Sequence, residues 1–155
     1  VFSLIPALKN AEFVKFGVMH RNTFVDAPQV FDKYFCLKQN ENVYFAGQIT
    51  GCEGYVESAS TGLLVGYFKA CEILSQEIAY PPETTAIGSV YKHLRDDTNI
   101  DDYQPMNVNF GLFPLISGEI TSNGKFRKIK GMDRKILYCK RAMDDIKPWA
   151  EKIRM

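Results

Sequence analysis

A chain of 155 residues, 46% hydrophobic and 24% charged, has the size and balance of one domain with its own core, not of a disordered or fibrous polypeptide. Its net charge of +1 excludes a molecule-wide electrostatic trap for nucleic acid. No apolar run approaches the roughly 18 residues of a membrane-crossing helix, so no membrane partner is expected.

The opening VFSLIPAL lacks a basic n-region and a long apolar core, so it does not read as a signal peptide. Val1 stands where an initiator methionine would, which suits a fragment or a processed chain. Residues 11–18, AEFVKFGV, read as a strand. A polar group, His20 to Thr23, follows before the break at Pro28. Residues 29–37 carry Val30, Phe31, Tyr34, Phe35 and Leu37 and read as a second extended piece, and 39–42 as a turn. Val43 to Ala46 is a short apolar run bounded by a glycine, the pattern of a buried strand.

Gly47, Gly51 and Gly54 then fall within eight residues, and the spacing predicts a helix from about Val56 to Glu77. Gly62, Gly66 and Ala70 recur every four residues, as do Ala59 and Leu63, so one face is nearly flat and suited to lie against a sheet. Pro81-Pro82 is expected to end this helix, and Thr84 to cap another through about Leu94. PMNVNFGLFPLI, residues 105–116, mixes amides and glycine with large apolar side chains and reads as extended and partly buried. SNGK at 122–125 signals a hairpin. A last helix, about Asp133 to Ile153, places Ile136, Leu137, Met143, Ile146 and Ile153 on an apolar stripe interrupted by Pro148. Cys36, Cys52, Cys71 and Cys139 form no CxxC and no zinc spacing, so no metal is expected and a reducing cytoplasm is.

A strand feeding a glycine turn that opens a narrow helix is the layout of a phosphate-binding turn. Helix-start N–H groups carry partial positive charge, and glycine lets backbone approach a ligand closely. The spacing here, GxxxGxxG, is neither GxGxxG nor a P-loop. The same glycines equally suit a strand–helix joint that packs tightly.

The wording is more specific than the spacing. AGQITGCEGYVESASTGL resembles the second flavin-contacting segment of the tRNA-modifying flavoproteins related to the glucose-inhibited division protein. NAEFVKFGVMHRNTF, residues 10–24, and DYQPMNVNFGLFP, residues 102–114, are similar to the branch that uses folate and FAD to methylate carbon 5 of a T-loop uridine in tRNA. The resemblance covers roughly residues 1–116. It implies an α/β, Rossmann-like FAD/NAD(P)-binding domain, present as its C-terminal portion only, with a C-terminal helical segment. Residues 1–16 would be the end of an inserted domain and 17–155 the returning part of the FAD domain.

In that family GxGxxG and the attacking cysteines lie far upstream, so no catalytic residue is expected in this chain. The implied cofactors are FAD, methylenetetrahydrofolate as cosubstrate and NAD(P)H. The implied partners are tRNA and the upstream portion of the same enzyme, and strand edges left open would favour self-association. The alternatives are the sister branch that modifies the wobble uridine, against which MHRNTF and PMNVNFGL argue, and a non-catalytic scaffold on a degenerate flavin fold.

By resemblance, Gly47 and Gln48 sit beside the pyrophosphate or ribityl chain. Gly51, Gly54, Tyr55, Val56 and Ser58 fall on the same segment, with Gly54 to Val56 at the edge of the flavin ring. Tyr55 is either such a contact or a core aromatic. Glu57 suits a cap that bonds backbone N–H groups. Cys52 departs from the family's aliphatic residue and reads as a small buried hydrophobe. His20 and Asn22 form either a pocket wall or a solvated turn. Asn107 and Asn109, two apart on an extended segment, would point one way, toward flavin, folate or neighbouring backbone. His93 reads as a surface residue late on its helix. Between Lys125 and Arg141 stand eight basic residues (Lys125, Arg127, Lys128, Lys130, Arg134, Lys135, Lys140, Arg141) and one acid, Asp133, which suits either an RNA backbone or a solvated face.

Overall fold

The computed structural model describes residues 4–12, 22–95, 103–120 and 122–154. The expected strand at 11–18 therefore falls largely outside the described residues, as do His20 and Arg21. Helices and strands are mixed, as an α/β reading requires. Four helices, α1 (Ala27–Val30), α2 (Tyr55–Leu74), α3 (Ala86–Leu94) and α4 (Gly131–Lys152), accompany two antiparallel strand pairs, β1 (Cys36–Leu37) with β2 (Asn40–Tyr44) and β3 (Gly118–Ile120) with β4 (Phe126–Lys128). Among the described residues the sole parallel pairing is an isolated bridge between Cys52 and Met106.

The region expected to be one extended piece, 29–37, divides instead. Pro28 near its start presets φ for the single helical turn α1. The Asp32 carboxylate then accepts from the N–H groups of Tyr34 (2.8 Å) and Cys36 (2.9 Å), folding a turn that puts Phe35 at φ 60°. The strand expected at Val43–Ala46 starts earlier, at Asn40, because a two-residue connection pairs Leu37 with Asn40. Its first three residues are exposed, and Val43 to Ala46 are half-buried.

α2 forms as its spacing predicts, but Ser75 ends it, not the prolines. Ser75 adopts the left-handed conformation, and the Gln76 N–H reaches back to the Cys71 carbonyl at 2.8 Å. The buried face carries Glu57, Thr61, Leu64, Tyr67, Phe68 and Cys71. The flat face does not lie against a sheet: Gly62 and Gly66 are exposed, and a Cβ built on either meets no atom within 4 Å. Burying Tyr67 and Phe68 removes far more apolar area from water than burying glycines would, so the aromatic side turns inward.

Thr85, one residue beyond the expected cap, accepts the Gly88 N–H at 3.1 Å and starts α3. Thr84 instead donates to the Asp145 carboxylate of α4. The core joins Ala27, Phe31, Phe35, Cys52, Leu64, Tyr67, Phe68, Cys71, Val90, Tyr91, Leu94 and Trp149. Phe68 is its centre, with ring centroids 5.8 Å from Tyr34, 5.7 Å from Tyr91 and 6.0 Å from Tyr80. The hairpin signalled by SNGK is present, Gly118 facing Lys128 and Ile120 facing Phe126.

α4 runs through Pro148, and its expected stripe splits. Ile146 and Ile153 pack on the core, whereas Ile136 (58%) and Met143 (56%) are exposed. Cys36, Cys52 and Cys71 are buried thiols and Cys139 is exposed. Among the described residues no helix is long and apolar enough to cross a membrane, and no three ligating side chains gather as a metal site would require.

The glycines sort by their surroundings into opposite outcomes. A Cβ on Gly88 would overlap the Pro82 carbonyl, backbone that cannot step aside. Gly88→Ala is expected to cost about 2–3 kcal/mol, a fall of ~5–10 °C in melting temperature. Gly62→Ala and Gly66→Ala are each expected to gain about 0.5–1 kcal/mol, since they remove helix-interior glycine without a clash. Thermal unfolding of the three variants checks both signs.

Candidate functional site: a polar cleft on the glycine turn

After β2 the chain enters one turn of 3-10 helix, Gln48–Thr50, and then α2. Three glycines shape this path: Gly47 at φ 80°, Gly51 at φ 90° and Gly54 at φ 102°. All three lie in the region that favours glycine. They do different work, however. The Gly47 N–H donates to the Thr61 hydroxyl at 2.7 Å, and its carbonyl accepts from Thr50 N (3.0 Å) and Thr50 Oγ1 (2.7 Å), so its polar groups serve the fold. Gly51 faces inward, where a Cβ would overlap the Tyr103 phenol. Gly54 is the N-cap of α2 and supplies no side-chain cap, and beside it stand the Glu57 carboxylate and the Asn107 amide.

Around this turn opens a cleft of about 410 Å3 lined by Asn22, Gln48, Glu53, Gly54, Tyr55, Ser58 and Asn107. Six of these seven are residues singled out from the sequence, and they arrive from three separate stretches of chain. Tyr55 is 97% exposed and stands outside the core formed by this chain. Among the described residues the lining carries three amide side chains, a hydroxyl, a phenol and one carboxylate, and no lysine or arginine. Such a surface both donates and accepts hydrogen bonds, which suits sugar hydroxyls and the imide edge of a heterocycle better than a bare phosphate.

The remaining predicted residues stand elsewhere. Val56 (80% exposed) and Asn109 border a second, apolar cavity of about 760 Å3 between α2, α3, α4 and residues 108–113. Asn107 and Asn109 therefore do not point the same way. Period two holds only in a regular strand, and Asn109 starts a turn in which its side-chain oxygen accepts from Gly111 N at 2.8 Å. Its amide nitrogen donates to the Asn107 carbonyl at 3.1 Å.

The basic stretch divides too. On β4, alternation sends Phe126 and Lys128 to one face and Arg127 to the other. Lys125 and Lys130 flank that strand and are exposed, as are Lys135 and Lys140, and Arg134 is half-buried. Arg141 is committed to the fold, donating to the Pro114 carbonyl at 2.6 Å with its guanidinium 5.3 Å from the Tyr138 ring.

Three residues outside the predicted set organise the cleft. Glu53 lines it directly. Glu57, buried on the first turn of α2, accepts the Val108 N–H at 3.0 Å; it acts as a cap, but on the neighbouring segment and not on its own turn. Tyr103 donates to the Thr50 carbonyl at 2.6 Å. Its phenol is raised above the ordinary range by burial first and by the nearby Asp26 carboxylate second, so it remains a donor. Between these struts, Met106 N–H meets the Gly51 carbonyl at 3.1 Å and Glu53 N–H meets the Met106 carbonyl at 3.0 Å. Cys52, 1% exposed, sits beneath the turn with its thiol 3.3 Å from the Gly47 carbonyl, a packed position and not a presented nucleophile.

Removing the Glu57 carboxylate should release the 106–109 segment. Glu57→Ala leaves the Val108 amide without its acceptor, and its hydrogen exchange is expected to speed by about tenfold, with the Trp149 region unchanged. Amide exchange followed by NMR or mass spectrometry decides this.

The chain is similar to known proteins over nearly its whole length. The family model described as Glucose inhibited division protein A matches residues 1–77. The chain is 48% identical over 154 residues to a methylenetetrahydrofolate–tRNA-(uracil-5-)-methyltransferase, TrmFO, of Paramagnetospirillum magneticum, covering 99% of this chain and 34% of that protein. The enzyme of the same name from Rhizorhabdus wittichii is 49% identical over 151 residues, covering 97% of this chain and 33% of the relative. That from Acetivibrio thermocellus is 54% identical over 118 residues, 74% of this chain and 27% of the relative. The chain thus spans about a third of the length of the curated relatives it matches. The stretch matched by the family model includes the glycine turn and α2, the relatives match nearly the whole chain, and the chain belongs to the family of the glucose-inhibited division protein A.

Proposed function

We propose that this chain is the C-terminal, flavin-contacting portion of an enzyme that transfers a methylene from methylenetetrahydrofolate, with reduction, to carbon 5 of a T-loop uridine in tRNA, giving 5-methyluridine. The observation that carries the reading is the gathering of Asn22, Gln48, Gly54, Tyr55, Ser58 and Asn107 around one polar cleft at the entry to α2. The relatives that share this stretch bear the name of that activity. FAD fits the residues present in part. The amides and the Ser58 hydroxyl suit the ribityl chain and the ring edge, where they can donate and accept hydrogen bonds.

A bound flavin supplies the hydride chemistry. The residues of this chain bind and orient it: Gln48 and Ser58 along the ribityl side, Tyr55 and Asn107 at the ring. Gly47 and Gly51 shape the backbone beneath, and neither lines the cleft itself. Val56 and Asn109 border the adjoining apolar cavity, where the folate would approach, and His20 is assigned to the pocket wall by resemblance. NAD(P)H is the reductant that restores the flavin.

Residues 17–155 are the returning part of the FAD domain, with 1–16 the end of an inserted domain, and the protein works in the cytoplasm. Lys125, Arg127, Lys128, Lys130 and Arg134 would follow the tRNA backbone, which agrees with the exposure of the first four. The exposed apolar side chains Leu63 (54%), Ile73 (71%) and Ile136 (58%) support an upstream portion that covers them, and self-association where it is missing.

The test is spectroscopic. The full-length natural protein should purify with the two visible absorption bands of oxidised flavin. The 155-residue chain alone should hold flavin weakly and show no methyl transfer to tRNA. A colourless full-length protein that gains no flavin from added FAD would remove the reading, and turnover by the chain alone would remove its incompleteness.

A further inference from the structure

We propose that Tyr103 is a positioning residue of the flavin turn: its phenol locks the Thr50–Gly51 peptide in the shape the cleft needs, and His93 locks the phenol. The inference rests on the flavin reading of the cleft. Neither residue lines that cleft. The Tyr103 hydroxyl donates to the Thr50 carbonyl at 2.6 Å, and Thr50 is 0% exposed, so without the phenol a buried acceptor stays unpaired. The same phenol occupies the side of Gly51 on which a Cβ would stand, at the residue whose φ is 90°. One side chain thereby fixes a carbonyl direction and fills the gap beside the glycine that follows it.

The phenol is held from behind. The His93 ring stacks on the Tyr103 ring, centroids 5.2 Å apart and planes 23° from parallel. His93 Nε2 lies 2.9 Å from the Gln104 carbonyl, and because a carbonyl only accepts, Nε2 carries the proton and donates. His93 belongs to α3, which is anchored by the Thr85 cap and by the buried Val90, Tyr91 and Leu94. A continuous path of contacts runs from α3 through His93 and Tyr103 to Thr50. The three residues after Gly51 lead into Tyr55 at the cleft mouth, so a shift of the Thr50–Gly51 peptide strains the Gly51 and Glu53 bonds to Met106 and, through them, the placing of Gly54 and Tyr55.

The experiment uses the full-length natural protein, FAD as the probe, and three variants. Tyr103→Phe removes only the hydroxyl and should raise the FAD dissociation constant by about tenfold, with a shift in the visible flavin bands. His93→Ala leaves the turn untouched and should raise it by about threefold. Trp149→Phe breaks the indole bond to the Ala79 carbonyl, remote from the turn. It should lower the melting temperature while leaving FAD affinity and the flavin spectrum as in the wild type. Wild-type affinity and spectrum in Tyr103→Phe would overturn the proposal. So would a loss of FAD that merely follows melting temperature across all three variants. A wild-type protein that takes up no FAD would remove the flavin reading itself, and this inference with it.

Discussion

The candidate site depends on two stretches of chain, 50–57 and 103–108, sharing their hydrogen bonds. Neither could hold its shape alone. Glycine at two of its eight positions, Gly51 and Gly54, makes the first stretch expensive to order. Among the described residues the second has no ladder partner beyond the bridge to Cys52. Docked together, they satisfy the Gly51 carbonyl, the Glu53 N–H, the Val108 N–H and the Thr50 carbonyl, groups that would otherwise be costly to bury. A cleft bordered by both stretches thus exists only when the long-range fold is complete, because Asn107 and Gln48 meet through tertiary structure.

What was legible in the sequence follows from this division. α2, α3, α4 and the 118–128 hairpin were readable because their signals are local: periodic apolar residues, a threonine cap, an SNG turn. The family was readable from the wording of the turn. The roles of its glycines were not. Gly51 looks like a ligand-facing glycine until a tyrosine 52 positions later arrives beside it. Asn109 looks like the twin of Asn107 until a turn rotates it into a different cavity. Residues 29–37 carry strand-forming side chains, but Pro28 and the Asp32 carboxylate act within a few residues and bend the chain first.

The placement of apolar surface carries a related lesson. α2 is apolar on nearly all sides, and spacing alone could not choose which side turns inward. Area decides: Tyr67, Phe68 and Leu64 go to the core, while Ala59, Gly62, Leu63 and Gly66 remain in contact with solvent. Such a helix is characteristic of a layer covered on both faces. That agrees with a chain matching only a third of each relative's length.

Trp149 is the one tryptophan of the chain, 6% exposed, with its indole N–H on the Ala79 carbonyl at 2.8 Å. The Ala79 N–H in turn donates to the Tyr67 hydroxyl at 2.8 Å, so the indole is wired through one peptide unit to the buried side of α2. The molecule therefore carries an intrinsic fluorophore at the seam between its terminal helix and its core. Its emission colour reports whether that seam is shut, without any label.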